Sequence, residues 1–220
     1  MRFLKTALAA VAFAAIVAPA SAAIITLDFE GAGDQAALLD FYNGGTDSQG
    51  NSGTNYGIEF GPNALSIIDA DAGGTGNFGN EPTPDTILFF LSGSAVLNYA
   101  PGFDTGFSFF YTSTSFDGTV SVYDGLNATG NLLGTIDLPA LGTGPGDPSG
   151  SFSNWAAAGL AFAGVAKSID FGGTVNQIGY DNVTFGSAVP VPTIPEPSTY
   201  ALMALGLAGI GFVARRRRES

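Results

Sequence analysis

Between residues 24 and 194 the chain interleaves 29 glycines with 22 aromatic residues: 15 Phe, six Tyr and Trp155. Few architectures take that mixture. Aromatic side chains suit a pleated, half-buried surface, while frequent Gly, Asn and Asp end each element after a few residues. Short apolar runs stand at 64–68, 86–91, 95–99, 107–111, 132–136, 159–163 and 182–185. Ile25, Leu27 and Phe29 alternate with polar or acidic neighbours, as do Val120 and Val122. Alternation over 175–182 places Ile178 and Tyr180 on one face. Many short strands separated by turn signals predict an all-β sandwich or barrel. Residues 24–189 suit one domain, and a single jelly-roll-like β-sandwich fits best, since long loops at the ends of antiparallel strands are common there.

Several connections are legible. Residues 119–123 and 132–136 flank Asp124-Gly125-Leu126-Asn127-Ala128-Thr129-Gly130-Asn131, a long hairpin loop. Stretches 43–55, 71–85 and 141–151 are surface loops. Residues 34–41 carry the body's single helical start, with Asp34 as its N-cap. Asn127-Ala128-Thr129 and Asn182-Val183-Thr184 have the pattern of sequons and are read as turn and strand residues.

Composition removes whole classes of chemistry. The 220 residues include no Cys and no His. That excludes a Ser-His-Asp triad, a thiol nucleophile, a disulfide framework and His- or Cys-liganded zinc. Residues 24–194 hold 17 Asp and Glu against one basic residue, Lys167, a net charge of −16. Such a body repels phosphates, so nucleic acid is not a partner. The remaining basic residues sit at the ends: Arg2 and Lys5, then Arg215, Arg216, Arg217 and Arg218.

Those ends read as addresses. Residues 1–23 have a basic start, an apolar run to about Val17, and small residues Ala20, Ser21 and Ala22. That is the layout of a signal peptide, implying the general secretion machinery and signal peptidase. At 190–199, Pro190, Pro192, Pro195 and Pro197 make a stiff spacer. Residues 200–214 are apolar and uncharged, and 215–220 form a basic cytoplasmic tail. A 15-residue helix reaches about 22 Å, short of a bilayer core of about 30 Å. This suits a processed transmembrane sorting helix, in the membrane only transiently.

Pro195, Glu196 and Pro197, followed by the apolar stretch and the Arg cluster, resemble the PEP-CTERM sorting signal of Gram-negative bacteria. The resemblance implies processing by exosortase, an inner-membrane stage, and delivery to the cell surface or an extracellular matrix. It also implies a link to exopolysaccharide and biofilm. The body resembles other PEP-CTERM proteins at Asp28-Phe29-Glu30-Gly31, Phe41-Tyr42-Asn43-Gly44-Gly45 and Gly179-Tyr180-Asp181-Asn182-Val183. The first and last of these also resemble galactose-binding-like jelly rolls, many of which bind sugars and hold a structural calcium. That resemblance implies an ion between Glu30 and Asp181.

A second calcium reading comes from the residues themselves. Asp69, Asp71 and Asn77 offer two carboxylates and an amide oxygen around a flexible Gly73-Gly74 pair, and calcium takes six to eight oxygens. Gly73 and Asn80 depart from the EF-hand pattern, and a solvated Asp/Gly turn is the alternative. Gly74-Thr75-Gly76-Asn77-Phe78-Gly79 matches G-x-G-x-x-G, but Pro82 and Pro84 follow where a dinucleotide fingerprint needs a helix. The expectation is therefore an exported structural or adhesive protein, not an enzyme. It binds polysaccharide through exposed Tyr and Trp faces, with calcium ordering its loops. The alternative is a secreted glycoside hydrolase using paired carboxylates about 5–9.5 Å apart.

Overall fold

In a computed structural model, residues 24–145 and 150–190 are described. They form eleven strands and no helix: β1 (Ile25–Leu27), β2 (Ile58–Phe60), β3 (Leu65–Ile68), β4 (Thr86–Phe89), β5 (Ala95–Phe103), β6 (Phe107–Ser113), β7 (Gly118–Tyr123), β8 (Leu132–Leu138), β9 (Ala156–Leu160), β10 (Ala166–Gly173) and β11 (Ile178–Phe185). No helix among the described residues is long and apolar enough to cross a membrane. The expected signal peptide at 1–23, the sorting motif Pro195, Glu196 and Pro197, the helix at 200–214 and the tail at 215–220 lie outside the described residues.

The strands make two antiparallel sheets. The first runs β3-β4-β11-β6-β9, and the second β2-β5-β10-β7-β8. Along one side of β11, β4 meets Tyr180 and β1 meets Val183 to Phe185, so two short strands share one long edge. The inward faces close on an aromatic core. Phe107, Phe109, Tyr180 and Phe185 from the first sheet and Phe171 from the second are all buried. Phe171 bridges the sheets, its ring 4.9 Å from Tyr180 and 5.9 Å from both Phe107 and Phe109, in edge-on packing. The expected jelly roll is met at the level of two antiparallel sheets.

Residues 119–123 and 132–136 pair as β7 and β8, with the long loop between them. Asn127 and Ala128 sit in that loop at positive φ, and Asn182-Val183-Thr184 lies on β11. One local expectation is overturned. Residues 34–41 form turns, with Gln35 and Leu39 at positive φ. Distant partners take the backbone groups a helix would use: Leu38 N donates to Ala64 O, and Ser66 N to Ala36 O. Ala36, Leu38 and Phe41 are buried, so tertiary anchoring defeats the local start. The Asp34 carboxylate accepts from the amides of Ile68 and Thr75 and from the Thr75 hydroxyl, tying down the 69–76 loop.

Candidate functional site

A groove of 430 Å³ lies on the outer face of the first sheet. Strand alternation builds its floor. Leu88, Tyr111 and Tyr180 point into the core, so Ile87, Thr112 and Gly179 face out, joined by Ile67 and Phe89. Gly179 keeps the floor low, since a Cβ there would meet Ile87 Cδ1 at 2.6 Å. Thr75, Asn77 and Phe78 make one wall with Ser151 and Phe152. The two segments are bonded to each other: Phe152 N donates to Asn77 O at 3.2 Å and Ser151 N to Asn77 Oδ1 at 3.1 Å. Trp155 Nε1 holds the same wall by donating to Gly79 O at 3.0 Å. Asn176 and Gln177, on the turn before β11, line the groove from another side.

Among the described residues, no Asp, Glu, Lys or Arg lines this groove. Its polar groups are amides and hydroxyls, and those of Asn176, Gln177, Thr114 and Ser151 make no side-chain hydrogen bond to a described residue. The site can therefore donate and accept hydrogen bonds above an apolar floor, without a charge.

The carboxylates lie elsewhere. Asp181 is fully buried on β11, beside a bulge where Asn182 has φ 50°. Its Oδ2 accepts from Thr83 N at 2.9 Å, and its Oδ1 from Thr83 Oγ1 at 2.7 Å and Asn182 N at 2.6 Å. Burial, with the charge of Glu30 adding, pushes its carboxyl up to about 7. Glu30 Oε1 accepts from the amides of Asp85 and Thr86. The fold thus brings Glu30 and Asp181 into one electrostatic neighbourhood, with both carboxylates bonded to protein donors.

Asp69 and Asp71 share a hollow of 200 Å³ with Asn80, Glu81 and Asp85. Asn77 does not join them; its oxygen is turned to Ser151 and it lines the uncharged groove. Burial, then the charges of Asp69, Asp71 and Asp85, pushes Glu81 up to about 7. Burial and the nearby Asp71 raise Asp69 to about 6. Among the described residues, no three acidic side chains converge closely enough to hold a metal ion.

The expectation of exposed Tyr and Trp faces is corrected. Among the described residues, Tyr42, Tyr111 and Tyr180 are buried, and Tyr56, Tyr99, Tyr123 and Trp155 are half-buried. The exposed aromatic side chain is Phe116, at 45%. Thr112, Asn176 and Gln177 carried no motif; their role follows from strand alternation and a turn that only the sheet order brings to the groove.

Among solved structures, the chain is similar to the K2 cleaved adhesin domain of Lys-gingipain, with TM-score 0.49 and 12% identity over 74% of this chain and 97% of that one. A second likeness is to a carbohydrate binding module from Cellvibrio mixtus lichenase 5A in complex with cellotriose, with TM-score 0.35 and 14% identity over 57% of this chain and 87% of that one. A third is to a glycoside hydrolase family 43 arabinoxylan arabinofuranohydrolase from Bacillus subtilis, with TM-score 0.36 and 17% identity over 56% of this chain and 24% of that one. The two-sheet architecture stands on its own strand pairings. No curated protein matches the sequence significantly. A family model does match at the C-terminus: residues 193–218 are a PEP-CTERM protein-sorting motif, which marks the chain for export and surface sorting.

Proposed function

We propose that the body is a non-catalytic adhesive module that binds neutral polysaccharide, in exopolysaccharide or biofilm, through the groove on the first sheet. The observation that carries this reading is that no charged side chain among the described residues lines the groove, in a body with net charge −16. A neutral sugar offers hydroxyls to amides and hydroxyls, and its C–H faces to an apolar floor. A polyanion would meet the field of 17 acids instead.

The address and the site fit together. The sorting motif follows the body, and Ile25 pairs with Phe185, so both chain ends leave the sandwich at one end. Gly179 lies near the other end of β11, whose eight residues span roughly 25 Å at about 3.3 Å each. The groove is thus presented away from the attachment end. A structural calcium belongs to the same proposal, held by the Asp69 and Asp71 carboxylates with carbonyl and water oxygens completing its shell. The crowding of Asp69 and Asp71 with Glu81 and Asp85 in one hollow supports it, and the same loop carries the Asn77 and Phe78 wall.

A glycan array run beside a hydrolase screen tests the proposal. Binding of neutral glycans without release of reducing sugar is expected. Turnover that disappears in Glu81→Gln would put the hydrolase in its place.

A further inference from the structure

Three exposed apolar residues lie in segments that adjoin the groove's lining residues: Leu91 at 47%, Phe116 at 45% and Val175 at 40%. Each belongs to a segment already tied to the site. Val175 precedes Asn176, a lining residue, and Asn176 N donates to Phe90 O at 2.9 Å, which brings Leu91 alongside. Phe116 stands two residues past Thr114, also a lining residue, and Ser113 Oγ donates to Phe116 O at 2.5 Å. The turn at 174–177 is closed by Gln177 N donating to Thr174 O at 3.2 Å. Gly118 pairs with Gly173, so the Phe116 and Val175 loops grow from neighbouring strands.

Hydrophobic side chains held out on pinned loops are unfavourable in water unless something covers them. The nearest acid in sequence, Asp117, accepts at its Oδ1 from Ala140 N at 2.9 Å. The shelf thus presents apolar side chains with one exposed carboxylate, Asp117, at its edge. Its loops are already ordered, so contact there costs little further conformational entropy.

We infer that Phe116, with Leu91 and Val175, extends the groove into a second subsite for the apolar face of a glycan chain, so that the protein grips an internal stretch of polymer. The occupant is a neutral polysaccharide chain running out of the groove. Phe116 is the platform in place of the buried and half-buried Tyr and Trp rings. This inference rests on the glycan reading of the groove.

The test compares chain lengths on the full body, using cellobiose and maltose against their hexasaccharides by calorimetry. The variants are Phe116→Ala, Phe116→Tyr and the groove variant Gln177→Ala. Phe116→Ala should weaken hexasaccharide binding about three- to tenfold and leave the disaccharide within about twofold. Phe116→Tyr should restore it, and Gln177→Ala should weaken both lengths. An equal effect of Phe116→Ala on both lengths, or none on either, overturns the subsite while the groove stands. Wild-type protein that binds neither length, with its melting transition intact, overturns the glycan reading itself.

Discussion

Asp181→Asn should make the protein more stable than wild type near pH 8 and less stable near pH 3, so that the two stability curves cross. The wild-type carboxyl is fully buried and raised from 3.8 to about 7. The unfolded chain gives up this proton near its ordinary value, while the folded chain holds it up to about 7. Folding therefore favours the protonated form. The stabilisation is fully present below about pH 4 and is lost as pH rises through about 7. The span corresponds to about 4 kcal/mol. Asparagine is neutral throughout, but its Nδ2 cannot accept from the donors that Thr83 N, Thr83 Oγ1 and Asn182 N present. That mismatch costs about 1–3 kcal/mol at every pH. The variant should thus lose by about that amount near pH 3 and gain about 1–3 kcal/mol near pH 8. Urea unfolding across this range, with chelator present, measures both curves. Glu81 and Asp69 slope the same way in both proteins, so the difference isolates Asp181. Parallel curves, or wild-type stability that rises from pH 5 to 8, would refute the reasoning.

Three further outcomes are expected. Calcium should raise the melting temperature over that with chelator, by an amount reduced in Asp71→Asn; an ion at a hundred times its Kd contributes about 2.7 kcal/mol, and a transition that ignores calcium ends that part of the proposal. Phe171→Ala should cost about 3–5 kcal/mol in urea unfolding, because its ring bridges the two sheets; a loss under 1 kcal/mol would mean the sheets do not depend on it. Intact-mass analysis of surface protein should show cleavage near Pro195, Glu196 and Pro197; retention of Arg215 to Arg218 in cells with exosortase would leave a plain anchor.

The parts of the fold that were legible are those set by neighbours in sequence. The β7–β8 hairpin could be read because its loop and both strands lie within about twenty residues. Ile178 and Tyr180 could be placed on one face because alternation is local. Strand β10 carried no apolar run, since Lys167, Ser168 and Asp170 interrupt Ile169 and Phe171. Its place between β5 and β7 comes from long-range pairing. The Asp181 site was half legible: the acid was marked, but its partner Thr83 lies 98 residues away in a loop without regular structure. The groove was least legible. Its lining comes from four strands, three loops and a turn, and its defining property is charge left out of the described lining, which no motif records.

The claim at the centre of the account is that the uncharged groove holds a neutral glycan, and nuclear magnetic resonance of the side-chain amides tests it most directly. Titration with the hexasaccharide should shift the amide signals of Asn77, Asn176 and Gln177 and leave Gln49 and Asn131, which do not line the groove, in place. Saturable binding that moves Asn131 or Gln49 and leaves the three groove amides unmoved would contradict it.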